Sequence, residues 1–424
     1  MIMKRLLAIT TIGWLVALTT WGQSTAETRV SIIDPNVHSL RVAPESNPYL
    51  PPVLVLGADD RIVVNFDYID YDVHYLRYSL LHCDAQWTPS QLQESEYVDG
   101  FNYADIDDYM QSESTFTHYY NYNFVLPNEN MNFTRSGNYV LRVYEQDDPD
   151  KVLFQTRFMV VEPKVTVFTD VTTLTDATYN DEHQQLSINL KYKPGTIADP
   201  YGELATVVMQ NTRTDNAVVL RRPMSAAVGM VTYEHQPELI FEAGNEYRRF
   251  ETVNIHSINM GVAEIDYVKP FYHAYLYTDQ PRRDVQYLYD QTQFGHFTIR
   301  NAEGNSSAVD ADYLVTHFSL NTAGPLVGGN IFLEGEFTHG LPATDRLMKY
   351  DASTGCYVND LLLKQGAYNY QYLWVPEGSR IAQTNVIDGD KFQTVNQYII
   401  LVYHRPSGGR YDELIGYGLT RSIN

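Results

Sequence analysis

The chain has 424 residues, enough for roughly two to four domains, and carries 52 acidic against 30 basic residues for a formal net charge of −22. That excess excludes general binding to a phosphate backbone and docking on anionic lipid, both of which need clustered Lys and Arg. Hydrophobic residues at 44% exclude chain-wide disorder, and 34 tyrosines against 17 phenylalanines and 4 tryptophans point to an all-β, extracytoplasmic binding protein, because tyrosine suits pleated, half-buried surfaces and wet interfaces.

In chain order, Lys4 and Arg5 precede an apolar stretch from Leu6 to Trp21, followed by the small or polar run Gly22-Gln23-Ser24-Thr25-Ala26. This is the order of a secretory signal peptide. It predicts a signal over residues 1–22, with cleavage as late as 26, and hence export. The stretch is short for a membrane span. No cysteine lies near the cleavage site, so lipid attachment there is not expected. Removing Lys4 and Arg5 takes the charge to −24.

Short apolar or alternating runs bounded by Gly, Pro, Asn and Asp follow throughout, the signature of strands. The first block, 27–163, has expected strands at 29–33, 38–42, 61–66, 75–83, 117–126, 138–144 and 153–161. A long loop over 88–114, rich in Tyr, Asp, Glu and Ser, interrupts it. Glu162-Pro163 closes this block. A second block, 164–305, has strands at 165–171, 185–192, 204–210, 217–220, 265–268, 273–277 and 296–299. The polar run from Asn301 to Ser307 reads as a linker. A third block, 310–424, has strands at 313–320, 330–337, 357–363, 368–375 and 397–404. The spacing predicts three tandem β-sandwich domains of immunoglobulin-like or early-set type.

Catalytic signatures are missing: no GxSxG, HExxH, phosphate loop or CxxC occurs. The twelve histidines are scattered without metal-ligand spacing. Cys83 and Cys356 fall in different blocks and read as buried structural residues. No cofactor, metal or catalytic residue is expected, and the chain reads as a non-enzyme. Two acidic groups, Asp67/Asp70/Asp72 and Asp99/Asp105/Asp107/Asp108, read either as solvated turns that guard edge strands or as calcium ligands. The faces formed by Tyr119-Tyr120-Asn121-Tyr122 and by Tyr368, Tyr370 and Tyr372 are either sheet faces in a core or an exposed stacking surface for a sugar or protein.

Several stretches carry a resemblance. They are Pro52-Val53-Leu54-Val55-Leu56-Gly57, His82-Cys83-Asp84-Ala85-Gln86-Trp87, Glu96-Tyr97-Val98-Asp99-Gly100-Phe101, Phe124-Val125-Leu126-Pro127-Asn128-Glu129-Asn130-Met131 and Ser136-Gly137-Asn138-Tyr139. Asn245-Glu246-Tyr247-Arg248-Arg249-Phe250-Glu251 fits as well, with Glu251 where Asp is expected. The pattern resembles the plug protein family of the type IX secretion system of Bacteroidota. The resemblance implies a non-enzymatic periplasmic protein, held at the outer membrane by its partner. That partner is the outer-membrane translocon barrel, whose periplasmic opening the protein closes while no substrate passes. No nucleic acid and no direct membrane insertion are implied. The third block is also similar to early-set, glycogen-binding-type sandwiches, through Phe332-Leu333-Glu334-Gly335-Glu336-Phe337 and Gly366-Ala367-Tyr368-Asn369-Tyr370, although the Trp expected soon after Phe337 is replaced by the His339-Gly340 stretch. A secreted carbohydrate-binding protein is therefore the alternative reading. For a protein partner, the 88–114 loop offers Tyr97, Phe101, Tyr103 and Tyr109 as aromatic anchors among acids suited to a basic pore edge.

Overall fold

The computed structural model describes residues 28–422; the expected signal at 1–22 lies outside them. Strand accounts for 48% and helix for 6%, which makes the chain all-β.

The first sandwich follows from strict alternation. Ile62, Val64 and Phe66 point inward from strand Ile62–Tyr68, and Leu76, Tyr78 and Leu80 do so from strand Leu76–Cys83. One sheet runs in the order Val37–Pro44, Ile62–Tyr68, Tyr120–Leu126, Tyr109–Gln111. The facing sheet is built on Leu76–Cys83, Gly137–Glu145 and Asp148–Val161, with Ser31–Ile32, Val53–Val55 and Ala104–Asp105 at its margins. Ring pairs fill the gap: Phe66 stacks on Tyr122 at 5.1 Å and meets Phe154 edge-on at 4.8 Å.

Beyond residue 163 the strands do not group as contiguous blocks. Val165–Thr172, His183–Tyr192, Ser225–Ala227 and Met230–Tyr233 form one sheet, with Ile240–Glu242 beside His183–Tyr192. The sheet facing it joins Leu204–Gln210 and Val218–Leu220 to Gln397–His404 and Glu413–Arg421. Conversely, Arg248–Glu251 and Phe297–Ile299 pair with Gly366–Pro376, and Phe271–Leu276 pairs with Tyr313–Leu320. The division expected near 305–310 therefore does not follow the pairing. We read the chain as a first sandwich, then a second into which a third is inserted. The polar run 301–307 is a held loop of this third unit: the Asn301 side chain donates to the Asp310 carbonyl. Polarity marked a turn there, and pairing across nearly two hundred residues leaves no local trace in composition.

Gln397–His404 is buried along its whole length. Tyr398, Ile400 and Val402 enter the second core. Ile399, Leu401 and Tyr403 enter a separate apolar layer with Ala85, Met159 and Val161 of the first sandwich. This sheet is covered on both faces, which is why its strand lacks alternation. The second unit is thus fused to the first by a hydrophobic layer.

The third unit meets the first through polar chemistry. Asp67 and Lys364 are both buried and lie 2.7 Å apart. Asp67 also accepts hydrogen bonds from the Tyr313 hydroxyl at 2.6 Å and the Asn121 amide at 2.7 Å. Lys364 donates to the Ala308 carbonyl and sits 4.1 Å from the centre of the Tyr119 ring. Burial pulls its pKa below the usual lysine value, opposed by Asp67. The Asp312 carboxylate accepts from the backbone N–H groups of Phe116 and Thr117.

Candidate partner-binding surface

The 88–114 segment is more ordered than a loop. It holds a helical turn at Glu94–Tyr97 and short strands at Val98–Gly100, Ala104–Asp105 and Tyr109–Gln111. Val98–Gly100 pairs with Met131–Phe133. Gly100 has φ +108°, and a Cβ there would lie 2.1 Å from the Asn130 carbonyl oxygen, so only glycine makes this approach. The next residue, Phe101, donates its N–H to that same carbonyl, and the chain then turns outward.

The four aromatic residues expected to bind a partner separate here. Tyr97 is only 2% exposed, packs on His82 and Tyr139, and donates its hydroxyl to the Leu80 carbonyl. Burial pushes its pKa up to about 12. It belongs to the core, because the helical turn places it over the first sandwich, and it is not a contact residue. Tyr109 is half-buried against Tyr120 and Tyr122. Phe101 and Tyr103 are 67% and 50% exposed, with ring centres 5.8 Å apart. They line an open depression of about 210 Å³ with Asp105, Asp107 and Asn130.

The tip is braced rather than loose. The Arg77 guanidinium lies 5.0 Å from the centre of the Tyr103 ring and donates to Asp105 at 2.6 Å, while Gln146 donates to the other Asp105 oxygen. These bonds hold the Asp105 carboxyl below the ordinary range, led by the Arg77 hydrogen bond. Asp99 and Asp107 remain exposed.

Four of these acids, Asp67, Asp70, Asp105 and Asp108, have protein partners. Asp67 is no solvated turn, since it forms the buried pair with Lys364. Asp70 bonds His74 at 3.1 Å, and Asp108 accepts from the Asn123 side chain. Among the described residues no group of three or more His, Cys, Asp or Glu side chains is arranged to hold a metal. Cys83 and Cys356 are free and buried; burial raises the Cys83 thiol to about 12.

The Tyr368–Tyr372 face is core, not a stacking platform. All three rings are buried. Tyr370 and Tyr372 donate to Asp279 at 2.9 and 2.8 Å, Asp279 pairs with Arg248, and Arg248 also holds buried Asp388. Tyr119 and Tyr122 are equally buried. The His82–Trp87 motif forms the joint to the second unit: Ala85 N–H donates to Asp412 at 2.8 Å, and Asn138 bonds both the Asp84 carbonyl and the Tyr403 hydroxyl. Sequence reasoning missed Lys364, although a lone lysine ending the apolar run Leu361-Leu362-Leu363 signals a buried partner.

Comparison with known proteins gives the family. The profile described as the first domain of the type 9 secretion system plug protein matches residues 37–162. The chain belongs to the type 9 secretion system plug family. The matched span coincides with the first sandwich and includes the Phe101–Tyr103 tip. The plug-family chain is also similar, at 39% identity, to a hypothetical protein from Parabacteroides merdae whose crystal structure is known. The alignment covers 94% of this chain and all of that one, with a TM-score of 0.92, so the overall fold is shared. No curated protein matches.

Proposed function

We propose that this plug-family protein is a non-enzymatic periplasmic stopper. It binds the periplasmic opening of the type IX outer-membrane translocon barrel and seals it while no substrate passes. The observation that carries this reading is the plug first-domain match over 37–162, on the same sandwich that presents the braced Phe101–Tyr103 pair. The Lys4-Arg5 and apolar N-terminal pattern supports export. The joints between units support the mechanical role. A stopper must hold its shape across a wide opening, and here one joint is a hydrophobic layer and the other a buried ion pair with its hydrogen bonds satisfied.

A removable seal needs an interface that leaves the free protein soluble. A few aromatic anchors ringed by charge meet that need better than a broad apolar face. Phe101 and Tyr103 supply the anchors; Asp99, Asp105 and Asp107 supply the acidic rim for a basic pore edge. The carbohydrate-binding alternative loses its main support, because the Tyr368–Tyr372 rings are buried and their neighbouring hydroxyls are occupied.

The test is co-purification of the translocon with a Phe101→Ala, Tyr103→Ala double variant. Near-wild-type melting with loss of the partner is expected. Normal folding together with normal co-purification would move the contact away from this tip.

A further inference from the structure

A second concavity lies far from the tip in sequence and outside the span matched by the plug profile. It is an open cleft of about 500 Å³ between the second and third units. One wall is the turn Asn180-Asp181-Glu182, the other is Arg283-Asp284 with Tyr287, and the strap from Gly389 to Gln393 crosses it. Exposed apolar residues adjoin both walls in sequence. Tyr179 (76% exposed) and Leu174 stand beside the first, held together by a backbone bridge. Leu288 (81% exposed), Val285 and Tyr289 stand beside the second. Scattered exposed apolar residues are ordinary on a soluble protein, but here they adjoin in sequence the residues that line the cleft on both sides.

The charges inside define what fits. Arg283 is engaged with Asp284 at 3.0 Å, and Lys391 donates to the Arg283 carbonyl at 2.8 Å. The Asp181 and Glu182 carboxylates are exposed and accept no hydrogen bond among the described residues. Asp390 accepts from the Gly244 N–H and the Thr384 hydroxyl and faces Glu242 and Glu182. The lining thus carries four carboxylates, Asp181, Glu182, Asp284 and Asp390, against the two cations Arg283 and Lys391, and Asp181 and Glu182 stand open.

We propose that this cleft binds an extended, basic polypeptide segment of a partner protein. Lysine and arginine match both features at once, because a long aliphatic stem packs on the apolar rim while the charged head reaches the carboxylates. A small cation would leave the rims wet, and an anion would be repelled. The overall acidity of the chain raises the local concentration of such a segment. This goes beyond the sealing role and does not depend on it.

The probe is a short fluorescein-labelled peptide of alternating lysine and valine, followed by fluorescence anisotropy on the isolated protein. Saturable binding is expected. Asp181→Asn with Glu182→Gln should weaken it by about tenfold, a change of ~1.4 kcal/mol. Tyr179→Ser with Leu288→Ser should weaken it comparably although the charge is unchanged. Asp147→Asn with Asp150→Asn removes two exposed charges elsewhere and should leave affinity intact. All these side chains are exposed, so circular dichroism should show native folding. The proposal is overturned by absence of saturable binding, by equal loss in the distant variant, or by equal binding of a glutamate–valine peptide.

Discussion

Two aromatic-rich segments of similar composition have opposite fates. Tyr368, Tyr370 and Tyr372 lie in a core, and the Tyr370 and Tyr372 hydroxyls converge on Asp279. Phe101 and Tyr103 stand in solvent on a braced turn. What separates them is what covers the strand. Gly366–Pro376 has partners on both edges and a second sheet over its face, whereas 101–103 lies between two short strand pieces at the margin of the first sandwich. An aromatic ring has the same transfer energy in either place; only topology decides whether it builds the scaffold or is offered to a partner.

The sharpest way to break this contrast is to truncate each side. Tyr372→Ala should cost about 3–5 kcal/mol, the usual loss for a buried aromatic, and the Arg248–Asp279 pair beneath it loses a hydrogen bond. Phe101→Ala should change stability by no more than ~0.5 kcal/mol, as for an exposed side chain at the edge of the fold. Chemical denaturation measures both; comparable losses would erase the distinction between scaffold and contact.

The joint beneath the scaffold should be nearly as sensitive. Lys364→Ala leaves Asp67 buried without its cation, and breaking such a pair costs about 3–5 kcal/mol. Asp67→Asn combined with Lys364→Met should recover most of that loss, because the cost is the stranded charge rather than the missing pair. A double variant as unstable as the single one would show that packing, not charge, holds the first and third units together.

Asp390 is intermediate between the two extremes: mostly buried, hydrogen-bonded, yet without a cation. Burial first, then neighbouring carboxylates, push its pKa up to about 6. A carboxyl raised in the folded state stabilises the fold while protonated, so stability falls as pH rises from about 4 to 6, by up to roughly 3 kcal/mol. His82 runs the other way. Burial holds its pKa down at about 4, so stability is lost as pH falls from about 6.5 to 4, by a similar amount. In the wild type the two slopes oppose. Asp390→Asn keeps an oxygen acceptor for Gly244 and Thr384, and should expose the His82 slope: denaturant midpoints that climb from pH 4 to 6.5, ending above wild type at pH 7. Tyr370→Phe removes one hydrogen bond to Asp279 and should cost about 1–3 kcal/mol.

Strand identity was legible where the pattern was strong. The run at 61–66 alternates in burial and 138–144 is a nearly continuous apolar run, and both were placed within a residue or two. Gln397–His404 and Leu204–Gln210 were both recognised as strands, but their pairing was not, because burial on both faces erases the alternation that indicates which side meets which core. Strand pairing also crosses the boundary expected at 305–310, because strands far apart in the chain share a sheet while local punctuation at 301–307 looked like a boundary. At the tip, composition marked 97–109 as aromatic and acidic but did not say that the helical turn tucks Tyr97 inward while Gly100 sends Phe101 out. That distinction rests on one backbone angle and one close carbonyl contact.

The central claim, that the protein seals a barrel through its first sandwich, is tested most directly by conductance. The translocon would be reconstituted in a planar bilayer, with the purified protein added to the periplasmic side. The account predicts that the wild-type protein closes the large conductance and that the Phe101→Ala, Tyr103→Ala variant, equally folded, leaves it open. A conductance unaffected by the wild-type protein would contradict the sealing role, and closure by both proteins would contradict the assignment of the tip.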